Sequence, residues 1–140
     1  MTLDPEQLKL LAKRFYEEVL NQGDLAVIDE LIAADFVEHE EMPGLPSTRE
    51  GIGAWVTMMR GAFPDLTVTI NKMVADGDEV WVHFSMRGTQ NGPLMDIPAT
   101  GRAVEMSGFD RVRVRNGKAI EHWGATDNLA MLQQLGQIPV

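Results

Sequence analysis

An α+β fold is predicted by three features of the sequence. Up to Phe63 the apolar residues recur at helical spacing, from Leu66 onward the period changes to two, and no repeat, low-complexity tract or linker divides the chain. Helices therefore come first and strands after, in a single domain over residues 1–140. A chain of this length buries roughly two thirds of its unfolded surface in one core.

The first helix is announced by Asp4-Pro5-Glu6-Gln7, which supplies an N-cap, a proline at the first helical position and a glutamine three residues after the cap. Leu8, Leu11, Ala12, Phe15 and Val19 form its buried stripe and Gly23 ends it. Asp24 caps a second helix carrying Leu25, Ile28, Leu31 and Ile32, and a short extended piece, FVEH, follows. After a loop with Pro43, Gly44 and Pro46, Ser47 and Glu50 read as a capping box for a third helix. Ile52, Trp55, Val56, Met59 and Phe63 mark its buried face.

Leu66, Val68 and Ile70 then alternate with polar residues, and Asp76-Gly77-Asp78 turns the chain into a strand with Val80, Val82, Phe84 and Met86 on one face. Trp81, His83, Ser85 and Arg87 occupy the other face. The segment Gly88 to Gly101 reads as a long loop or ragged strand, and a further strand runs from about Val104 to Arg115. The last strand carries the stretch EHW, and Thr126-Asp127-Asn128 reads as the N-cap region of a closing helix.

Register in the last hairpin decides which polar residues face the core. A two-residue turn at Asn116-Gly117 would set Val112 against Glu121 and mix the faces. A three-residue loop, Arg115 to Gly117, instead pairs Val112 with Ile120, Arg111 with Glu121, Phe109 with Trp123 and Asp110 with His122. A slip of two residues would keep these faces and change the partners. In either case Asp110 and His122 share the inner face.

Composition excludes several functions. A formal net charge of -9 repels nucleic acid and anionic membranes. The lack of cysteine removes disulfides, thiolate metal sites and a cysteine nucleophile. The N-terminus lacks the pattern of a signal peptide and no apolar run reaches membrane-spanning length, so a cytoplasmic protein is expected. Three histidines without HxxxH or HxH spacing predict no metal site. Ser47, Ser85 and Ser107 sit in no nucleophile elbow, and no glycine-rich phosphate loop follows a strand. Cofactor-free acid/base chemistry remains, or ligand binding without chemistry.

Asp110 beside His122 is the most suggestive pair, because a carboxylate that orients an imidazole gives an acid/base of tunable pKa. The same pair serves equally as a polar stitch between strands. Tyr16 neighbours the buried stripe of helix one and points either into a cavity or to solvent. His39 is kept among the candidate substrate contacts, although taken singly it reads as a surface or loop histidine. Trp55, Met59, Phe84, Met86 and Met106 are expected to border an apolar cavity with Asp110 in its wall.

The order of elements, with FPDLTVTI, GDEVWVHF, IPATGR, RVRNGKAIEHW and the closing DNLAMLQQLG, resembles the SnoaL-like polyketide cyclase (ester cyclase) family of the nuclear-transport-factor-2-like superfamily. The resemblance covers nearly the whole chain. It implies a cone-shaped α+β domain whose curved antiparallel sheet is wrapped by N-terminal helices around an apolar cavity, often dimeric through the outer sheet face. It also implies closure of a polyketide ring by intramolecular aldol condensation, with an acidic residue as acid/base and no metal or other cofactor. His122 matches a residue of the family's site, and Tyr16 falls near a helix-one tyrosine similar to a substrate-positioning residue of the family. The acidic residue expected after the Trp of EHW is replaced by Gly124, and Asp110 stands where a histidine is expected. Either the carboxylate has moved across the hairpin to Asp110 or the cyclase chemistry is absent.

Three readings follow. The first is a SnoaL-like enzyme acting on a small apolar, polyketide-like carbonyl compound, with Asp110 as base and His122 orienting it or donating to the enolate oxygen. The second is a binding module without catalysis, and the third another reaction such as epoxide hydrolysis or isomerisation. A homodimer is expected to cover an outer patch of Trp81, Phe109 and Trp123.

Overall fold

In the computed structural model, which describes residues 2–139, the Asp4 capping box starts helix α1 (Pro5–Arg14). The Asp4 side chain accepts from Gln7 N–H, and the Gln7 side chain accepts from Asp4 N–H. The helix continues as a π-helix over Phe15–Asn21. Tyr16, Val19 and Leu20 are buried, whereas Phe15, expected on the stripe, is only half-buried. Tyr16 continues the i, i+4 row of Leu8 and Ala12 inward.

A 3-10 turn (Leu25–Val27) and helix α2 (Ile28–Leu31) lead into strand β1 (Ile32–Glu38), longer than FVEH predicts. Helix α3 (Arg49–Ala62) has Thr48 as its cap residue, without a side-chain cap bond, in place of the expected Ser47 box. Ser47 instead accepts Glu38 N–H on its carbonyl at 3.1 Å, tying the end of β1 to the start of α3. Strands β2 (Thr67–Asp76), β3 (Glu79–Thr89), β4 (Ala103–Arg115) and β5 (Lys118–Thr126) follow, then helix α4 (Asn128–Gln134). Asp127 caps α4 by accepting Ala130 N–H at 3.0 Å, as expected.

The strands form an open, curved sheet in the order β1-β5-β4-β3-β2. The expected all-antiparallel sheet is corrected at one edge, where β1 pairs parallel with β5. No hairpin dictates the direction of β1, because α3 and three strands separate it from β5 in sequence. Helix α1 packs on β2 and β3, α3 on β1 and α4 on β4. The alternation read from β3 holds: Val80, Val82, Phe84 and Met86 are buried, each stabilising by about 2 kcal/mol on burial, while Trp81 on the opposite face is 45% exposed.

The loop between β3 and β4 folds around the fully buried amide of Gln90. Its Nε2 donates to the carbonyls of Ile97 and Pro98 at 3.3 Å, and its Oε1 accepts from the backbone N–H and the hydroxyl of Thr100. Leu94, bridged to Ile97 within this loop, is buried against the core.

The β4–β5 hairpin combines the two readings of its turn. Asn116 (φ 53°) and Gly117 (φ 78°) both occupy the left-handed region, as a two-residue type I′ turn requires. A bulge at Ile120, between the pairs Val114–Ala119 and Arg113–Glu121, then restores the faces. The net result is the two-residue slip. Val112 lies opposite His122, Arg111 opposite Trp123, Phe109 opposite Ala125 and Asp110 opposite Gly124, which corrects the four partners expected.

On the outer face Phe109 is 59% exposed and stacks on His83 at 4.6 Å. The Arg111 guanidinium lies 4.1 Å from the Trp123 ring and 5.5 Å from the Trp81 ring, and is held by Glu79 at 2.7 Å. Among the described residues, no helix is long and apolar enough to cross a membrane.

Candidate functional site

Between the helices and the inner sheet face lies a cavity of about 330 Å³, within the size range of small-molecule sites. Tyr16, Trp55, Met59, Phe84, Met86 and Met106 all line it, together with Phe36 and Leu94. Its wall is mainly apolar, with a polar side built by Glu38, Glu40, Asp110, His122 and Thr126, and Glu41 and Asn128 also border it.

These residues form a connected chain. The Tyr16 hydroxyl donates to Asp110 Oδ2. His122 Nε2 lies 2.6 Å from Asp110 Oδ1, and its Nδ1 lies 2.5 Å from Glu38 Oε1. Glu38 Oε1 also accepts Glu40 N–H at 3.0 Å. The pairing of Asp110 with Gly124 explains the reach of His122, because the position directly across the ladder has no side chain and the imidazole fills the diagonal.

A neutral imidazole has one N–H, and here both ring nitrogens face carboxylate oxygens, so donation to both requires the imidazolium. Burial would lower the pKa of His122, but its hydrogen bonds and charge attraction with Asp110 and Glu38 outweigh this and push it up to about 10. Burial raises the Tyr16 phenol well above its ordinary value, and the charge and hydrogen bond of Asp110 act in the same direction, so it remains a neutral donor. Glu40 is also raised. Burial is the main cause, with the charges of Asp110 and Glu38 adding to it and that of His122 opposing it.

His39 is not part of the cavity wall, which corrects its place among the candidate substrate contacts. Strand alternation turns Glu38 inward and His39 outward, where its ring stacks on Trp123 at 4.7 Å and its Nε2 lies 2.9 Å from Glu121. The same alternation carries the two acids that the sequence reading missed. Phe36, Glu38 and Glu40 are spaced by two and all border the cavity, a signal present in FVEHE.

Position 124 accepts no side chain in this arrangement. A Cβ there would lie 2.8 Å from His122 Cε1, 2.9 Å from Asp110 Oδ1 and closer still to Glu40 Oε1. The volume next to the Trp of EHW is thus taken by Glu40 and Asp110. Glu38, Glu40 and His122 also bring donor atoms within 4.8 Å of one another, the one such metal-compatible group among the described residues. Sequence spacing could not reveal it, since His122 comes from a strand far along the chain from Glu38 and Glu40. An ion there would compete with the proton that His122 holds between two carboxylates.

The raised pKa has a signed consequence for stability. Between the ordinary histidine value of 6.5 and about 10 the folded state binds a proton that the unfolded state does not. The stabilisation is therefore complete below about pH 6.5 and is lost as pH rises through 10. Urea midpoints measured across this interval should fall with pH in the wild type, and His122→Gln should lack that component of the slope. Parallel curves for the two proteins would show that His122 is neutral.

The family model for SnoaL-like polyketide cyclases matches residues 10–135. The chain is 26% identical over 124 residues to the aklanonic acid methyl ester cyclase DnrD of Streptomyces peucetius, covering 86% of this chain and 85% of the relative. Among solved structures, TsrD from Streptomyces laurentii superposes with a TM-score of 0.89 at 26% identity, covering 97% of this chain and 99% of that one. IdmH from Streptomyces antibioticus superposes with a TM-score of 0.80 at 39% identity, covering 93% and 99%. The match over nearly the whole length, on a cone of helices and curved sheet with a polar wall inside an apolar cavity, makes this chain a member of the SnoaL-like polyketide cyclase family.

Proposed function

We propose that the protein closes a carbon ring in a small, largely apolar, polyketide-type carbonyl compound by an intramolecular aldol reaction that needs no cofactor. The observation that carries this reading is the Tyr16–Asp110–His122–Glu38 chain, set in the wall of a mainly apolar cavity of about 330 Å³. A methyl ester of the kind named for DnrD is the substrate class that the relatives suggest.

Asp110 takes the proton from the acidic carbon next to a carbonyl, and the electron pair of that C–H bond becomes the enolate. The enolate carbon attacks a second carbonyl, a C–C bond forms, and the carbonyl oxygen becomes an alkoxide that must gain a proton. Tyr16 and His122 hold the two oxygens of Asp110 in place. Both nitrogens of His122 are committed to carboxylates, so it acts by orienting Asp110 and by supplying positive charge beside the developing anion, rather than by donating to the enolate. The apolar lining excludes water and so strengthens each of these interactions.

A homodimer in the cytoplasm belongs to the same proposal. Val37, Trp81 and Phe109 are exposed on the outer face, and Val74 on β2 is paired with Trp81 there. A second copy covering this face would remove the aromatic patch from water.

Two outcomes are expected. Asp110→Asn should fold and still bind a neutral apolar fluorophore, yet lose at least about 100-fold in ring closure of a methyl ester substrate, since an amide cannot accept the proton. Retained turnover would overturn the role of Asp110, and a wild type that binds but never turns over would favour a binding module. Light scattering should give the mass of two chains, and Phe109→Glu should give one; a wild-type mass of one chain would overturn the dimer.

A further inference from the structure

Glu40 is the acid for which the chain of hydrogen bonds has no use. Asp110 has both oxygens engaged, Oδ1 by His122 and Oδ2 by Tyr16, and Glu38 is 5% exposed and held by His122 and by Glu40 N–H. The Glu40 carboxyl makes one long contact, accepting from the Thr126 hydroxyl on Oε2 at 3.4 Å. Among the described residues its Oε1 has no hydrogen-bond partner, and it borders the cavity.

Its position matters as much as its freedom. Glu40 Oε1 and Asp110 Oδ1 both lie against the same point, the place where a Cβ of residue 124 would stand. Two carboxyl groups reach one end of the cavity from different elements, Asp110 from β4 and Glu40 from the segment after β1. Their surroundings differ. Asp110 receives two donors, whereas Glu40 is half-buried with one long contact, near the positive charge of His122 and the negative charges of Asp110 and Glu38. Such a pair divides naturally into a carboxylate and a carboxylic acid.

We propose that Glu40 is the catalytic acid of this site: its proton passes to the carbonyl oxygen as the C–C bond forms, while Asp110 accepts the carbon-bound proton. The balance closes within the cavity. Asp110 gains a proton and Glu40 loses one, the product is a neutral alcohol, and return of the proton from Asp110 to Glu40 by way of water resets the site. No oxidant, reductant or other co-reactant is needed. The direction of the Glu40 shift agrees with this role, because its burial favours the protonated acid.

The inference rests on the aldol reading, and the test separates the two. The probe is methyl 3,7-dioxooctanoate, whose acidic methylene and distant ketone can close a six-membered ring. Two readouts are followed in deuterated buffer: enzyme-dependent deuterium exchange at the methylene, which needs only the base, and ring closure, which needs both groups. Wild type should do both, and Asp110→Asn should lose both. Glu40→Gln should keep exchange within about threefold, which also shows that it is folded, and lose closure by about 100-fold or more. Wild-type closure should decline as pH rises through the raised pKa of Glu40 while exchange does not, and Glu40→Asp should restore part of the closure. Closure at the wild-type rate in Glu40→Gln, or equal loss of exchange and closure, would overturn the role of Glu40 and leave the cyclase reading standing. A wild type with neither exchange nor closure would overturn the cyclase reading and the acid with it.

Discussion

A single imidazolium held between a buried carboxylate and a half-buried one is the constraint on which the site depends. Glu38 is 5% exposed, and an unpaired charge at that depth would cost several kcal/mol. His122 removes that cost by serving Glu38 and Asp110 at once, and Asp110 in turn fixes the Tyr16 hydroxyl. Each member is satisfied by its neighbours, and among the described residues no buried side-chain polar atom lacks a partner. Removal of any one group leaves the others uncompensated, which is why the polar side of the cavity behaves as a unit.

Three local departures from regular structure assemble this unit. The π-helix after α1 carries Tyr16 on its buried side. The bulge at Ile120 lets a tight type I′ turn coexist with the apolar face of the hairpin, so that His122 and Asp110 both point inward. The parallel pairing of β1 with β5 sets Glu38 directly beside His122. Irregular winding at a cavity wall is where functional side chains are commonly re-aimed. The polar site is therefore a product of the fold's irregularities, while its apolar lining follows from regular alternation.

That division also explains what could be read from the amino-acid sequence. Periodic features were legible: the helix stripe of α3, the inward row Val80 to Met86, the Asp4 and Asp127 caps and the shared face of Asp110 and His122 follow from spacing and local chemistry alone. The π-turn and the bulge were not, because each inserts one residue against an otherwise unbroken period. Glu38 and Glu40 were overlooked for another reason. Their alternation with Phe36 was present, but acids on an inward face read as solvent-facing until a buried cation is found for them, and that cation comes from a strand far along the chain. His39 was misplaced for the complementary reason, since one histidine in a short segment carries no register.

Family membership and site geometry complement each other. The family accounts for the cone and its cavity, and around Gly124 acids from β4 and from the segment after β1 fill the space beside the last strand. The charge state of His122 tests this arrangement most directly. In protein labelled with nitrogen-15 at histidine, the ring resonances of His122 at about pH 8, between 6.5 and the raised pKa of about 10, should show both nitrogens protonated and no titration near neutrality. A neutral His122 at that pH, with one bare ring nitrogen, would contradict the imidazolium on which the site is built.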